Sequence, residues 1–182
     1  MKGQKMLVWM LLLGIATTGC INDKRKSGPQ NPEGTVVGTV SPPLTQPNSR
    51  ETQLLSRNFW VAEFYVIPGD QGQLIPARHN KGLWWQFNMD GTFVGGQWQE
   101  QNDHGSWFWR PGGGQYDRNG MLYIDSAVDD QRDVEFQIQG IEDDGSVMSF
   151  VKTQNSANKE PGMLKMITLM TMPTKKQFGV EE

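Results

Sequence analysis

The segment Asp133-Val134-Glu135-Phe136-Gln137-Ile138-Gln139 alternates polar and apolar residues without a break. A period of two residues marks a strand with one buried and one wet face. Short runs rich in β-branched and aromatic residues recur along the chain, giving strand candidates at Asn58–Ile67, Leu83–Asn88, Thr92–Gln99, Gly105–Arg110, Met121–Ser126, Asp133–Ile141, Ser146–Lys152 and Met163–Thr171. Clusters of Gly, Asn, Asp and Pro bound them. Asp90-Gly91 and Asp144-Gly145 fall between neighbouring runs, where tight hairpins need positive φ. The longer connections, Pro68–Gly82 and Pro111–Gly120, are expected as loops at the ends of the sheet. Eight meandering strands suggest an up-and-down barrel or a sandwich, and a closed barrel is the arrangement that removes exposed edges. The expectation is therefore an all-β, antiparallel, about eight-stranded up-and-down barrel over residues 50–172. A short helix should precede its first strand, with Asn48 and Glu51 at the cap and Thr52–Arg57 completing one or two turns.

The N-terminus reads differently. Lys2 and Lys5 precede an uncharged run, Met6 to Ala16, which is of signal-peptide length and too short to span a membrane comfortably. The run ends in Thr17-Thr18-Gly19-Cys20, which resembles the lipobox of bacterial lipoproteins, with Thr17 where leucine is usual. Cys20 is the chain's one cysteine and would otherwise be a lone thiol in an oxidising compartment. The resemblance implies a signal peptide over 1–19 and a lipidated Cys20 that anchors the protein in a membrane. The sorting rule of proteobacterial lipoproteins, with Ile21 rather than aspartate after the cysteine, implies the outer membrane. Removing Lys2 and Lys5 with the signal leaves 15 basic against 20 acidic residues, a formal charge of −5 that argues against a nucleic-acid surface. From residue 20 to 49 the chain is polar and broken by Pro29, Pro32, Pro42, Pro43 and Pro47, so it reads as a disordered tether with an average reach of about 30 Å. Residues 173–182 read as a flexible, charged tail.

With a strand opening on Trp60, then Trp85-Gln86-Phe87-Asn88-Met89-Asp90-Gly91-Thr92-Phe93 and Gly96-Gln97-Trp98, the chain resembles the small lipocalin-like lipoproteins common in Bacteroidetes. Those read as an aromatic strand, Asp-Gly-Thr-Phe at a hairpin, and Gly-x-Trp. Asn58 stands where that pattern has a glycine. The resemblance implies a barrel with a conical pocket.

Six tryptophans follow Cys20, a high density for so small a domain. Either they fill the core or some line a cavity for an apolar ligand or stack on sugars. Trp85, Phe87, Phe93, Trp107 and Trp109 are the candidate ligand-binding residues. Adjacent Trp84 and Trp85 cannot both face inward on a regular strand, so Trp84 is expected outside. Leu164, Met166, Met170 and Met172 share parity and are expected in the core. No catalytic residue is assigned. His79 and His104 lack partners at the spacing of a triad or a zinc site. Asp125, Asp129, Asp130 and Asp133 do not have EF-hand spacing, and Gly112-Gly113-Gly114 lacks the lysine and helix of a phosphate loop. The expectation is a non-enzymatic protein without metal or cofactor, anchored in the outer membrane and binding a small apolar or amphiphilic ligand. The alternative is an envelope module that contacts a protein or glycan through an exposed Trp84 while its barrel stays filled; neither reading names a protein partner.

Overall fold

A computed structural model describes residues 38–113, 119–159 and 161–180. The signal peptide expected over 1–19, the lipidation expected at Cys20 and the part of the expected tether up to residue 37 lie outside the described residues. One short helix, α1 (Arg50–Leu55), precedes nine strands: β1 (Phe59–Pro68), β2 (Leu74–Pro76), β3 (Leu83–Phe87), β4 (Thr92–Gln97), β5 (Glu100–Arg110), β6 (Met121–Ser126), β7 (Val134–Ile141), β8 (Val147–Lys152) and β9 (Gly162–Leu169). Strands β3 to β9 pair antiparallel in sequence order, and β1 pairs with both β3 and β9. Eight strands thus close an up-and-down barrel. β2, which the sequence reading left in a loop, adds a short hairpin to the end of β1.

Alternation along each strand puts one set of side chains inside. Trp60, Ala62, Trp85, Phe87, Phe93, Trp107, Trp109, Leu122, Ile124, Phe136, Ile138, Met148, Phe150, Leu164 and Met166 form one buried cluster with Leu54 and Leu55 of α1. Three bulges reset that alternation. Extra residues at Glu63, Asn102 and Gln139 bring Ala62 and Tyr65, or Ile138 and Ile141, to the same face three positions apart. Bulges of this kind bend strands and help a sheet to close.

The two ends of the barrel differ. α1 plugs the end where β1 begins. Ser49, rather than the expected Asn48, caps it by accepting from Thr52 N at 3.2 Å. Trp60 Nε1 donates to the carbonyls of Leu55 (3.0 Å) and Leu54 (3.3 Å), the latter also accepting from Arg57 N, and so ties the indole to the helix terminus. At the other end lie the end of β1, the β1–β2 hairpin and the β4–β5, β6–β7 and β8–β9 connections. Among the described residues this end carries no α-helix, with short turns at Arg78–Asn80 and Asp130–Arg132, and it forms the mouth.

Two segments expected to be loose are packed against the barrel. Residues 38–49, assigned to the tether, run as an ordered strap from the mouth to the plugged end. Thr39 N donates to Asp130 Oδ1 (2.7 Å), Ser41 N donates to Asp125 Oδ2 (3.0 Å), and the buried Gln46 amide bridges Trp107 O (2.8 Å) and Trp109 N (3.0 Å). Those last two groups belong to the part of β5 that runs past the start of β4, so the strap supplies the partners that β4 cannot. Residues 173–180 of the expected tail also pack. Phe178 meets Trp98 edge to face at 5.8 Å, and Lys81 Nζ donates to Phe178 O at 3.0 Å. Met170 lies 87% exposed, because β9 ends at Leu169 and the alternation of that strand no longer applies.

Candidate functional site

All five aromatics singled out in the sequence lie on the inner face. Phe87, Phe93, Trp107 and Trp109 are between 1% and 2% exposed. Phe87 packs on Trp107 at 4.8 Å between centroids and on Phe93 at 6.4 Å, while Trp107 Nε1 donates to Asn88 O at 2.7 Å. These four rings and α1 fill the lower barrel with side chains. Trp85 stands higher, meeting Phe136 edge to face at 6.5 Å, and above this pair the interior opens into a cup of about 290 Å³.

The cup brings together residues from strands far apart in sequence. Trp85, Leu83, Phe136 and Tyr65 make its apolar floor and wall. Lys152, the last residue of β8, is buried on the inner face directly across from Phe136. Asp103 and Arg132 cross the rim with Nη1 and Oδ2 3.6 Å apart. Asp103 Oδ1 accepts from Ser126 Oγ at 2.6 Å and from His104 N at 2.9 Å, and Arg132 Nη1 also donates to Asn102 O at 3.0 Å. These contacts fix the rim against β5 and β6. The cup thus has an apolar floor beneath a mostly polar wall, an arrangement that can hold an apolar group below and a polar one above.

Behind the rim sits the acidic group noted in the sequence. Asp125 and Asp130 hold the strap, Asp129 caps a turn by accepting from Gln131 N, and Asp133 Oδ1 accepts from Ser126 N at 2.8 Å. Burial pushes the Asp133 carboxyl up to about 6, against the opposing effect of that hydrogen bond, and the nearby charges of Asp125, Asp130 and Asp103 push the same way. Among the described residues no group of three or more histidines, cysteines or carboxylates has the arrangement of a metal site.

A second, larger hollow of about 480 Å³ lies on the outside, between the strap and the outer faces of β5, β6 and β7. Phe108 and Tyr123 are cross-strand neighbours on its floor, flanked by Glu135 and Asp125. Trp84, expected to be an exposed contact, is 0% exposed. It does point outward, but Phe59 packs on it edge to face at 5.3 Å and its Nε1 donates to Trp98 O at 2.8 Å. His79 and His104 are exposed.

Sequence reasoning missed Asp103, Arg132 and Lys152. An isolated charge near a strand end carries no pattern, and only barrel closure brings these three to one opening. Searches of protein-family models, of curated proteins and of solved structures returned no match.

Proposed function

We propose that this protein is a non-enzymatic binding module of the bacterial envelope, lipid-anchored through Cys20 in the outer membrane and related to the lipocalin-like lipoproteins. In this reading the cup at the barrel mouth takes one end of a small apolar or amphiphilic molecule. The observation that carries the proposal is the change of character along the barrel axis. The lower interior packs Phe87, Phe93, Trp107 and Trp109 together, and the upper interior is a hollow with an apolar floor and a mostly polar wall that includes Lys152, Arg132 and Asp103. An apolar group seated on Trp85, Leu83 and Phe136 leaves water, while a polar end stays at the rim beside charged side chains. The volume, just under the usual range for drug-sized ligands, suits a partly inserted molecule better than a wholly enclosed one.

The test is titration with an apolar fluorescent probe. It should bind one to one and change tryptophan emission. Val134→Trp, which places an indole at the half-buried wall of the cup, should abolish binding while leaving the denaturation midpoint nearly unchanged. Unchanged probe binding by this variant would remove the cup as the site. For the anchor, Cys20→Ser should leave the protein unprocessed or misplaced, and correct outer-membrane fractionation of that variant would end the lipoprotein reading.

A second reading draws support from the outer hollow. Phe108 beside Tyr123, with Glu135 and Asp125 at the edge, offers ring faces and hydrogen-bond acceptors to a glycan. Here Phe108 and Tyr123 replace Trp84 as the contact. Saccharide-induced change in a Phe108→Ala-sensitive signal, with no apolar probe bound in the cup, would favour this reading.

A further inference from the structure

We infer that the mouth of the barrel faces a lipid bilayer and that the β1–β2 hairpin, with the adjoining start of β9, is the surface that touches it. The inference deepens the binding-module reading, in which Cys20 carries the anchor. Its first support is the point where the described chain begins. Gly38 sits so close to the β6–β7 connection that an added Cβ would lie 2.8 Å from Ser126 O and 2.9 Å from Asp129 N. Thr39 is fastened to Asp130 and Ser41 to Asp125, and the strap then runs away from the mouth to Gln46 at the plugged end. The described chain therefore starts at the mouth.

Seventeen residues, Ile21 to Val37, separate the anchoring position from the strap. At about 5–6 Å × √n, a polar linker of that length has an average reach of roughly 21–25 Å. A barrel strand of eight residues spans about 26 Å. With the plugged end on the membrane, the linker would have to run back along the whole barrel before reaching lipid. With the mouth on the membrane, it need only bridge the gap.

The second support is independent of the anchor. Phe64, Leu74, Ile75 and Met163 are 50%, 55%, 41% and 47% exposed, and all lie on the mouth half of three paired strands. The register joins them: Val66, two residues past Phe64, pairs with Met163 on one side and Pro76 on the other, and Ile67 and Pro68 pair with Ile75 and Leu74. Large side chains left in water on adjoining strands mark an interaction surface. The hairpin tip, Gly69 to Gln73, holds Asp70, Gln71 and Gln73 and is polar, and the exposed Arg78 follows β2. Apolar flanks with a polar tip suit a shallow seat among headgroups and upper acyl chains rather than deep insertion. A cup opening onto that interface lets an amphiphile move between bilayer and protein without its apolar part crossing water.

The test places a single reporter at each end. With Cys20 acylated, Leu74→Cys and Met170→Cys each supply the one free thiol, for an environment-sensitive dye. The acylated proteins are reconstituted in vesicles of phosphatidylethanolamine and phosphatidylglycerol containing nitroxide-labelled lipid. The dye at residue 74 should shift to the blue and be quenched several-fold more than the dye at 170, and Phe64→Ser together with Met163→Ser should reduce that difference. Equal quenching, or stronger quenching at 170, overturns the inference. Mass analysis of the Cys20 peptide reads the anchor separately. If Cys20 is unmodified the anchor reading fails, and the same two labels on a Cys20→Ser background with added vesicles decide the hairpin: preferential quenching at 74 supports it and its absence overturns it.

Discussion

Replacing Gln46 by alanine should destabilise the whole barrel, although a linker-like stretch of sequence surrounds the residue. Gln46 is 6% exposed, and its amide satisfies Trp107 O and Trp109 N on a part of β5 that β4 does not reach. Alanine leaves both backbone groups buried without partners, at a cost of about 1–3 kcal/mol each. Water entering the vacated space recovers part of this, so the net loss should be about 2–4 kcal/mol. A domain of ordinary stability, about 5–15 kcal/mol, still folds with that loss. In urea, with a slope of about 2 kcal/mol per M, the midpoint should fall by roughly 1–2 M. Hydrogen exchange should show the Trp109 amide losing protection first, followed by the strap amides of Thr39 and Ser41. A change below about 0.5 kcal/mol, with the Trp109 amide still protected, would refute the claim that the strap completes β5, because surface substitutions alone produce effects of that size.

Phe87→Ala, in the filled lower barrel, should cost about 3–5 kcal/mol in a denaturant titration while leaving a cup-bound probe in place. Loss of probe binding at unchanged stability would mean that the cavity extends further down. Asp133 has a folded pKa of about 6, above its ordinary 3.8, so the folded state binds the proton more tightly than the unfolded chain. Its contribution is full below pH 3.8 and is lost as the pH rises through about 6; Asp133→Asn should flatten the stability profile across that window, measured as thermal midpoint against pH. Gly82, with φ of +75°, lies under the Trp98 ring, where a Cβ would collide with the indole. Gly82→Ala should cost about 1–3 kcal/mol and shift Trp98 emission to the red, read by unfolding and fluorescence.

The strands were legible because their signals are local. Alternation marks the faces, and Gly91 and Gly145 adopt the positive φ that the Asp-Gly pairs announced. The bulges were not legible: Glu63 and Gln139 look like ordinary members of an alternating run until their partners are known, and Asn102 lies in an all-polar stretch between two strand candidates. β2 escaped for a related reason. Leu74-Ile75-Pro76 is too short to show a period, and its existence depends on β1 offering Ile67 and Pro68. The strap was read as a tether because proline and polar residues exclude helix and sheet. They do not exclude an extended segment fastened by side chains from elsewhere, here Asp125 and Asp130, and by Gln46. At the site, parity pairs Trp85 with Phe87 along one strand and Trp107 with Trp109 along another, and the structure puts both pairs, with Phe93, on the inner face. Parity carries no information about volume, so it could not separate Trp85 at the cup from the four rings beneath it. Trp84 was placed on the correct face, but burial there depends on Phe59, and no pattern along one strand reveals what covers its outside.

The strap also constrains the order in which this protein can be assembled. Its partners lie 61, 63, 84 and 91 residues further along the chain. Fastening Gln46 must therefore wait until Trp107 and Trp109 are in place. Until then Thr39, Ser41 and Gln46 lack their distant partners, while Asn48 and Ser49, which bond Gln53 and Thr52 of α1, are held locally. An early segment is thus fastened late, across strands already joined, and works like a clasp rather than a nucleus. Its undocking requires breaking no strand pair, so it is also the first ordered part free to let go. A protease acting on the native protein should therefore report on the clasp long before it reports on the barrel.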